Sequence, residues 1–234
     1  MPMTDTKTGQ KTKSLGDEAF DRLKHDIMWC RLKPGEEISE ARLTQMYGLG
    51  KAPIRRALSR LIQEGYIIAV PRHGHIIAPL TFQTVKDLFE LRLLLEPAAV
   101  QKACGHVDHA RLQELNKRCR QGYLPGDEAS EAEFMAANRS FHLEIARASG
   151  NQRLADVLLQ IMDEMARLLH LGFVLRERPE AMTHEHAGLL QALESGDAER
   201  ARAISVEHIN SVRALVLDGI MMHTNLSNTS IQPL

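Results

Sequence analysis

Little in this chain points to covalent or redox chemistry. Its three cysteines, Cys30, Cys104 and Cys119, have neither the paired spacing of a zinc site nor that of a disulfide framework, which fits a reducing compartment. HExxH, GxSxG and glycine-rich phosphate loops are missing, so the local signatures of metalloproteases, serine hydrolases and nucleotide-binding enzymes are not found. Aromatic residues make up 4% of the chain, too few for stacking platforms that hold single-stranded nucleic acid. No apolar run approaches the roughly 20 residues that span a bilayer. The first residues, MPMTDTKTGQKTKS, lack the apolar core of a signal peptide. The expectation is a soluble, cytoplasmic protein with no membrane partner. No internal repeat and no low-complexity tract is found.

What is present is an uneven distribution of charge. The 234 residues carry a net charge of −1, but residues 1–80 hold 13 Lys+Arg against 9 Asp+Glu, which is +4. The remaining 16 against 21 leave −5 for residues 81–234. A basic segment joined to an acidic one suits a nucleic-acid-binding domain followed by a regulatory domain. The length allows one or two domains and a sizeable core.

The basic segment has a readable order. Leu15, Ala19, Phe20, Leu23 and Ile27 mark a first helix capped by Ser14. Ser39 caps a short helix carrying Leu43 and Met46, which Gly48 closes. A second helix of about a dozen residues follows within a few positions, its buried stripe formed by Ile54, Ala57, Leu58, Leu61 and Ile62. Pro53 suits its first turn and Gly65 its end. This is helix-turn-helix spacing. Tyr66 to Val70 and His75 to Ala78 then flank Pro71, Arg72, His73 and Gly74, a hairpin with a basic tip. Lys51, Arg55 and Arg56 are the candidates for base or phosphate contacts, with Arg72, His73 and Gly74 at the hairpin tip. Solvated surface charge is the alternative reading of each. Thr81 to Thr84 reads as a short linker.

Beyond it the pattern is helical throughout, with spans near 84–104, 108–120, 129–149, 152–172, 179–195 and 198–223. Six helices with no strand signal imply an antiparallel bundle. Residues 1–13 and 224–234 read as polar tails. Histidines fall on apolar faces: His142 four residues after Asn138, His186 beside Leu189, Leu190 and Leu193, and His208 within Ala201, Ile204, Val212 and Leu215. One such histidine is more often a core residue bonded to a carbonyl, whereas three from three helices can converge on one ion.

The run from Leu43 through Gly48, Pro53, Arg55, Ala57, Leu58, Leu61, Glu64, Gly65, Pro71 and Gly74 resembles the winged helix of GntR-type bacterial transcription regulators. It departs from that pattern at Gly50, where Ser or Thr is usual, and at Lys51, where Arg is usual. Lys cannot reproduce a planar bidentate contact to guanine, so an altered base preference is expected. FELRLLLEP from Phe89, FHLEIARASGN from Phe141, EHAGLLQALESGDAERAR from Glu185, and His208 resemble the all-helical FCD domain of the FadR-type branch. The implied organisation is a winged helix-turn-helix over 14–80 and an FCD-type effector-binding and dimerisation domain over 84–223, a mainly α protein.

The resemblance also implies a ligand set. Metal-binding relatives use an Asp and three histidines, which correspond here to Asn138, His142, His186 and His208. An amide brings no charge, so weaker binding of a divalent cation of the Zn, Ni or Mn type is expected. Arg92 corresponds to an arginine near the effector pocket; a guanidinium beside a cation suits a small carboxylate, and an ion pair with Glu96 or Asp87 is its other reading. His184 is expected at the rim. The function implied is a homodimeric repressor that releases double-stranded operator DNA on binding a small carboxylic acid, and not an enzyme. The competing readings are a metal-dependent hydrolase using Glu185 as base, and a constitutive DNA-binding dimer without effector.

Overall fold

Side chains that accept hydrogen bonds from the backbone open most of the helices, and glycines or short polar turns close several of them. A computed structural model describes residues 13–72, 74–124, 126–173 and 180–226; for 171–173, 180–183 and 219–226 it describes the backbone alone. His73 and most of both polar tails lie outside the described residues. The chain divides into two compact units, 1–79 and 80–234.

In the first unit Ser14 caps α1 (Leu15–Met28) by accepting from the Asp17 amide at 3.2 Å. Ser39 caps α2 (Glu40–Tyr47), and Gly48 ends it with φ +64°. Helix α3 (Lys51–Gln63) starts at Gly50 without a side-chain cap. Ile54, Ala57, Leu58 and Leu61 are buried against Ala19, Phe20, Leu23 and Ile27 of α1, as the periodicity predicts. Within α2 it is Tyr47 that faces inward, while Met46 is 47% exposed, contrary to the sequence reading. The Tyr47 hydroxyl donates to the buried Asp26 carboxylate at 2.5 Å, a polar anchor that Met46 could not make.

The hairpin gains a third strand. β2 (Ile67–Val70) pairs with β3 (Gly74–Ile77), and β1 (Glu37–Ile38) adds to the other edge of β3, giving the order β1-β3-β2. Sequence reading missed β1 because two residues leave no alternation to detect. β1 also explains Gly74. Its φ is +93°, and a Cβ there would lie 3.0 Å from the Ile38 carbonyl oxygen. Its glycine is therefore accounted for by the packing of the sheet.

The second unit contains α4 (Phe82–Ala103), α5 (His109–Gln121), α6 (Glu128–Ala148), α7 (Gln152–Phe173), α8 (Glu180–Glu194) and α9 (Ala198–Leu226). The stretch read as a linker is the start of α4, with Thr81 accepting from the Thr84 amide at 3.0 Å. Asp108, Asp127, Asn151 and Asp197 accept from backbone amides at the starts of α5, α6, α7 and α9. The apolar interior falls into two clusters. One holds Phe89, Phe134, Ala137, Ile209 and Val212; the other holds Val100, Phe141, Ile145, Leu189 and Ala201. Along α4, α6 and α9 the residues between these sets are polar: Arg92 and Glu96, Asn138 and His142, and Ser205 and His208. A polar layer thus interrupts the bundle core.

Gly35 has a similar backbone, φ +79°, but nothing lies within 4 Å of its would-be Cβ. Gly35→Ala is expected to cost about 1 kcal/mol through conformation alone. Gly74→Ala is expected to cost about 2–3 kcal/mol, because strain and the contact with Ile38 add. Denaturant unfolding of the two variants measures the difference.

Candidate functional site

Histidine is the residue that this bundle buries in an unusual way. His142 on α6, His186 on α8 and His208 on α9 are at most 3% exposed, and one ring nitrogen from each lies within 4.8 Å of the others. Ring centroids are 5.2 Å apart for His142 and His186, 5.1 Å for His142 and His208, and 4.8 Å for His186 and His208. The Phe141 ring stacks on His186 at 4.3 Å and closes one side.

Each histidine has a different partner. The His208 Nδ1 lies 2.8 Å from Glu185 Oε2, and Ser211 donates to Glu185 Oε1 at 2.7 Å. Burial opposes the charge on Glu185, yet these hydrogen bonds hold its pKa below the usual carboxylate value. An ionised carboxylate only accepts, so Nδ1 carries the proton and Nε2 keeps its lone pair. That Nε2 has no partner among the described residues. Arg92 Nη2 lies 3.4 Å from His142 Nε2, and a guanidinium only donates, so this nitrogen too presents a lone pair. Glu96 Oε1 sits 2.6 Å from His142 Nδ1, at ion-pair distance but off the line of a hydrogen bond. Neither ring nitrogen of His186 has a partner among the described residues.

Arg92 is 2% exposed and binds Glu96 through Nε to Oε2 at 2.5 Å. The ion-pair reading of Arg92 holds: it is paired one turn along its own helix, and its Nη2 also abuts His142. Asp87, the other candidate partner, accepts from Gln83 instead. Burial works against a charge on Glu96, but Arg92 and His142 keep its pKa well below the usual range. Asn138 is 4% exposed, and its Oδ1 is unpartnered among the described residues, as is the Ser205 hydroxyl.

A buried polar atom without a partner costs about 1–3 kcal/mol. Asn138 Oδ1, His186 and His208 Nε2 are buried without a partner among the described residues, and nitrogen and amide-oxygen lone pairs are donors that a divalent cation accepts. The three histidines could hold a metal. Glu185 is engaged by His208 and Ser211 rather than free, an arrangement that carboxylates behind metal-ligating histidines also adopt. Sequence reading missed Ser205 and Ser211. Their spacing of three residues on either side of His208 was the available signal. His184 is exposed, as expected.

In the first unit, Lys51, Arg55 and Arg56 all lie exposed on α3. The stem of Arg56 rests over Gly16 of α1, 3.4 Å from the position of a Cβ there. Arg55 Nε lies 3.0 and 2.9 Å from the two carboxylate oxygens of Glu40. Arg72 is exposed in the turn between β2 and β3 with φ +67°.

Residues 87–211 match the FCD domain, and residues 15–77 match the bacterial regulatory proteins of the gntR family. The chain is similar to the uncharacterised HTH-type transcriptional regulator YdhC of Bacillus subtilis, 27% identical over 192 residues, covering 82% of this chain and 86% of that protein. It is also similar to the HTH-type transcriptional repressor GlaR of Escherichia coli, 28% identical over 200 residues, covering 82% and 91%. Among solved structures, Escherichia coli McbR/YncC superposes with a TM-score of 0.72 at 25% identity, covering 88% of this chain and 99% of the other. Among the described residues no helix is long and apolar enough to cross a membrane.

Burial, reinforced by its histidine neighbours and Arg92, holds the pKa of His186 well below 6.5, and burial takes His208 down to about 4 against the pull of Glu185. In the unfolded chain both titrate near 6.5, so below that pH the unfolded state binds more protons. The stability due to neutral burial is complete above about pH 6.5 and is lost as pH falls towards 4. For His208 alone the loss is about 3 kcal/mol. Metal-depleted protein should melt progressively lower between pH 7 and pH 4.5, and His208→Gln should flatten that dependence.

Proposed function

The chain belongs to the GntR family of bacterial transcription regulators and carries its FCD domain, and from that premise we propose a repressor that leaves its operator when a small carboxylic acid binds beside a divalent cation. It is a regulator and not an enzyme. The observation that carries the proposal is the set of unpartnered lone pairs on Asn138, His186 and His208 in a buried layer.

His142, His186 and His208 would hold the cation, with the Asn138 oxygen as a neutral fourth donor; a Zn, Ni or Mn type ion fits this donor set. When bound, the cation supplies a fixed positive charge. Arg92 and Glu96 already neutralise each other, and Asn138 contributes no charge. Glu185, ionised beside His208, offsets one of the cation's two charges, so a single carboxylate group completes the charge balance of the layer, and the guanidinium of Arg92 can donate to it.

Operator binding by two copies is supported by the surface of the helical unit. Phe82 and Leu94 of α4 are 46% and 65% exposed and, with Val85, Leu93 and Leu217, line a groove of about 490 Å³. Lys86 and Glu90 lie one turn apart in this groove, so a two-fold axis can set each against the other on the second copy. A homodimer positions two winged helices on half-sites about 34–36 Å apart, and a modest change in their separation spoils simultaneous contact. Lys51, Arg55 and Arg56 on α3, with Arg72 and His73 at the wing, are the proposed contacts. Such a regulator works where the chromosome is, in the cytoplasm.

Elemental analysis of native and His142→Ala protein, combined with a thermal-shift screen of small carboxylic acids on both, tests this reading. The expected result is a divalent metal and acid-dependent stabilisation in the native protein, both lost in the variant. No metal and no acid response in the native protein would overturn the pocket and leave a constitutive DNA-binding dimer. Separately, Leu94→Asp is expected to shift the dimer to monomer in sedimentation experiments and to weaken operator binding at least tenfold, since half-site contacts then no longer act together.

A further inference from the structure

The described cations of α3 are not held alike. Arg60 donates to Asp17 at 2.9 Å and lies over the Phe20 ring at 3.7 Å, which ties it to α1. Arg56 leans its stem on α1. Arg55 alone among them is gripped from α2, by both carboxylate oxygens of Glu40. Both oxygens converge on Nε, so the edge formed by Nη1 and Nη2 is left free of Glu40. That edge is one of the two faces with which arginine reads the O6 and N7 of guanine. Arg55 remains 65% exposed, and an exposed ion pair adds at most about 1 kcal/mol to stability. Stability is therefore a weak reason for this pair, whereas geometry is a strong one.

Glu40 is itself fixed. It is the first residue of α2, whose start is set by the Ser39 hydroxyl accepting from the Arg42 amide at 3.2 Å. The N-terminal end of a helix favours a carboxylate. The nearby Arg42 is engaged elsewhere, with Glu36 at 2.6 Å.

We infer that Glu40 is a positioning residue that holds Arg55 end-on for one guanine in each half-site and, by cancelling its charge, keeps it from acting as an indiscriminate phosphate contact. The inference rests on the operator-binding reading above. Lys51, which cannot form a planar fork, leaves Arg55 as the α3 residue best suited to base selection.

Selection from a randomised duplex library with full-length native, Glu40→Gln and Arg55→Lys proteins tests this, followed by binding to the enriched duplex and a scrambled duplex at two salt concentrations. Native protein is expected to enrich a site with a symmetric pair of fixed guanines. Glu40→Gln should lose the preference at those positions and lower the ratio of specific to scrambled binding about tenfold, the scale of one bidentate contact. It should also bind scrambled duplex more tightly, with a salt dependence steeper by about one released ion. The melting temperature should not change. Arg55→Lys should lose the same guanines, and the double variant should lose no more than either single variant. An unchanged site and ratio in Glu40→Gln would overturn the inference, as would a lowered melting temperature with the guanine preference intact. No enriched sequence with native protein would instead overturn operator binding itself, and this inference with it.

Discussion

Removing three imidazoles from water inside one small bundle is the constraint on which the helical unit depends. Burial keeps His186 and His208 from carrying protons, so their lone pairs persist in an interior that offers few other polar partners. Everything adjacent answers that condition. Arg92 and Glu96 enter the layer as a pair, so that neither charge is buried alone. Glu185 is held where it is only half-buried and turns His208 inward. Phe141 covers His186 with an apolar face. The layer sits between two apolar clusters that supply the burial energy, and its unpartnered atoms are the part of the core that packing alone does not satisfy.

The winged unit follows a different rule. Its charges stay at the surface, where ion pairs are weak, and their value lies in direction rather than energy. Apolar contacts between α1 and α3 and the buried bond from Tyr47 to Asp26 do the work of stability. The cations are then free to differ: some brace α1, and one is presented by α2. The chain therefore combines a unit in which buried polarity is costly with a unit in which polarity is exposed and cheap.

Much of this was legible in the residues. The stripe from Ile54 to Ile62, the caps Ser14 and Ser39 and the six long apolar periods needed no partner to be read, because helical periodicity is a property of consecutive residues. Short elements were not. β1 is two residues long and exists only because β3 lies beside it, and Thr81 is recognisable as a cap only once Phe82 is seen to start a helix. Gly74 was read as part of a basic tip, and the carbonyl of β1 that leaves no room for a Cβ there has no signature in the sequence. The inward turn of Tyr47 in place of Met46 depended on the buried Asp26 of α1, 21 positions away in the chain.

By itself the sequence determined which residues form helices, that a basic winged unit precedes an acidic helical one, and that His142, His186 and His208 lie on apolar faces. These follow from spacing along one element, where geometry is periodic. Only the tertiary structure decided that the three histidines meet, that Arg92 reaches both Glu96 and His142, that Glu185 is bonded to His208, and that Glu40 is bonded to Arg55. Apart from the Arg92–Glu96 pair, one turn apart on α4 and already suggested by spacing, each of those facts depends on distances between side chains of different helices, which share no periodicity. Such distances are set by how whole faces pack.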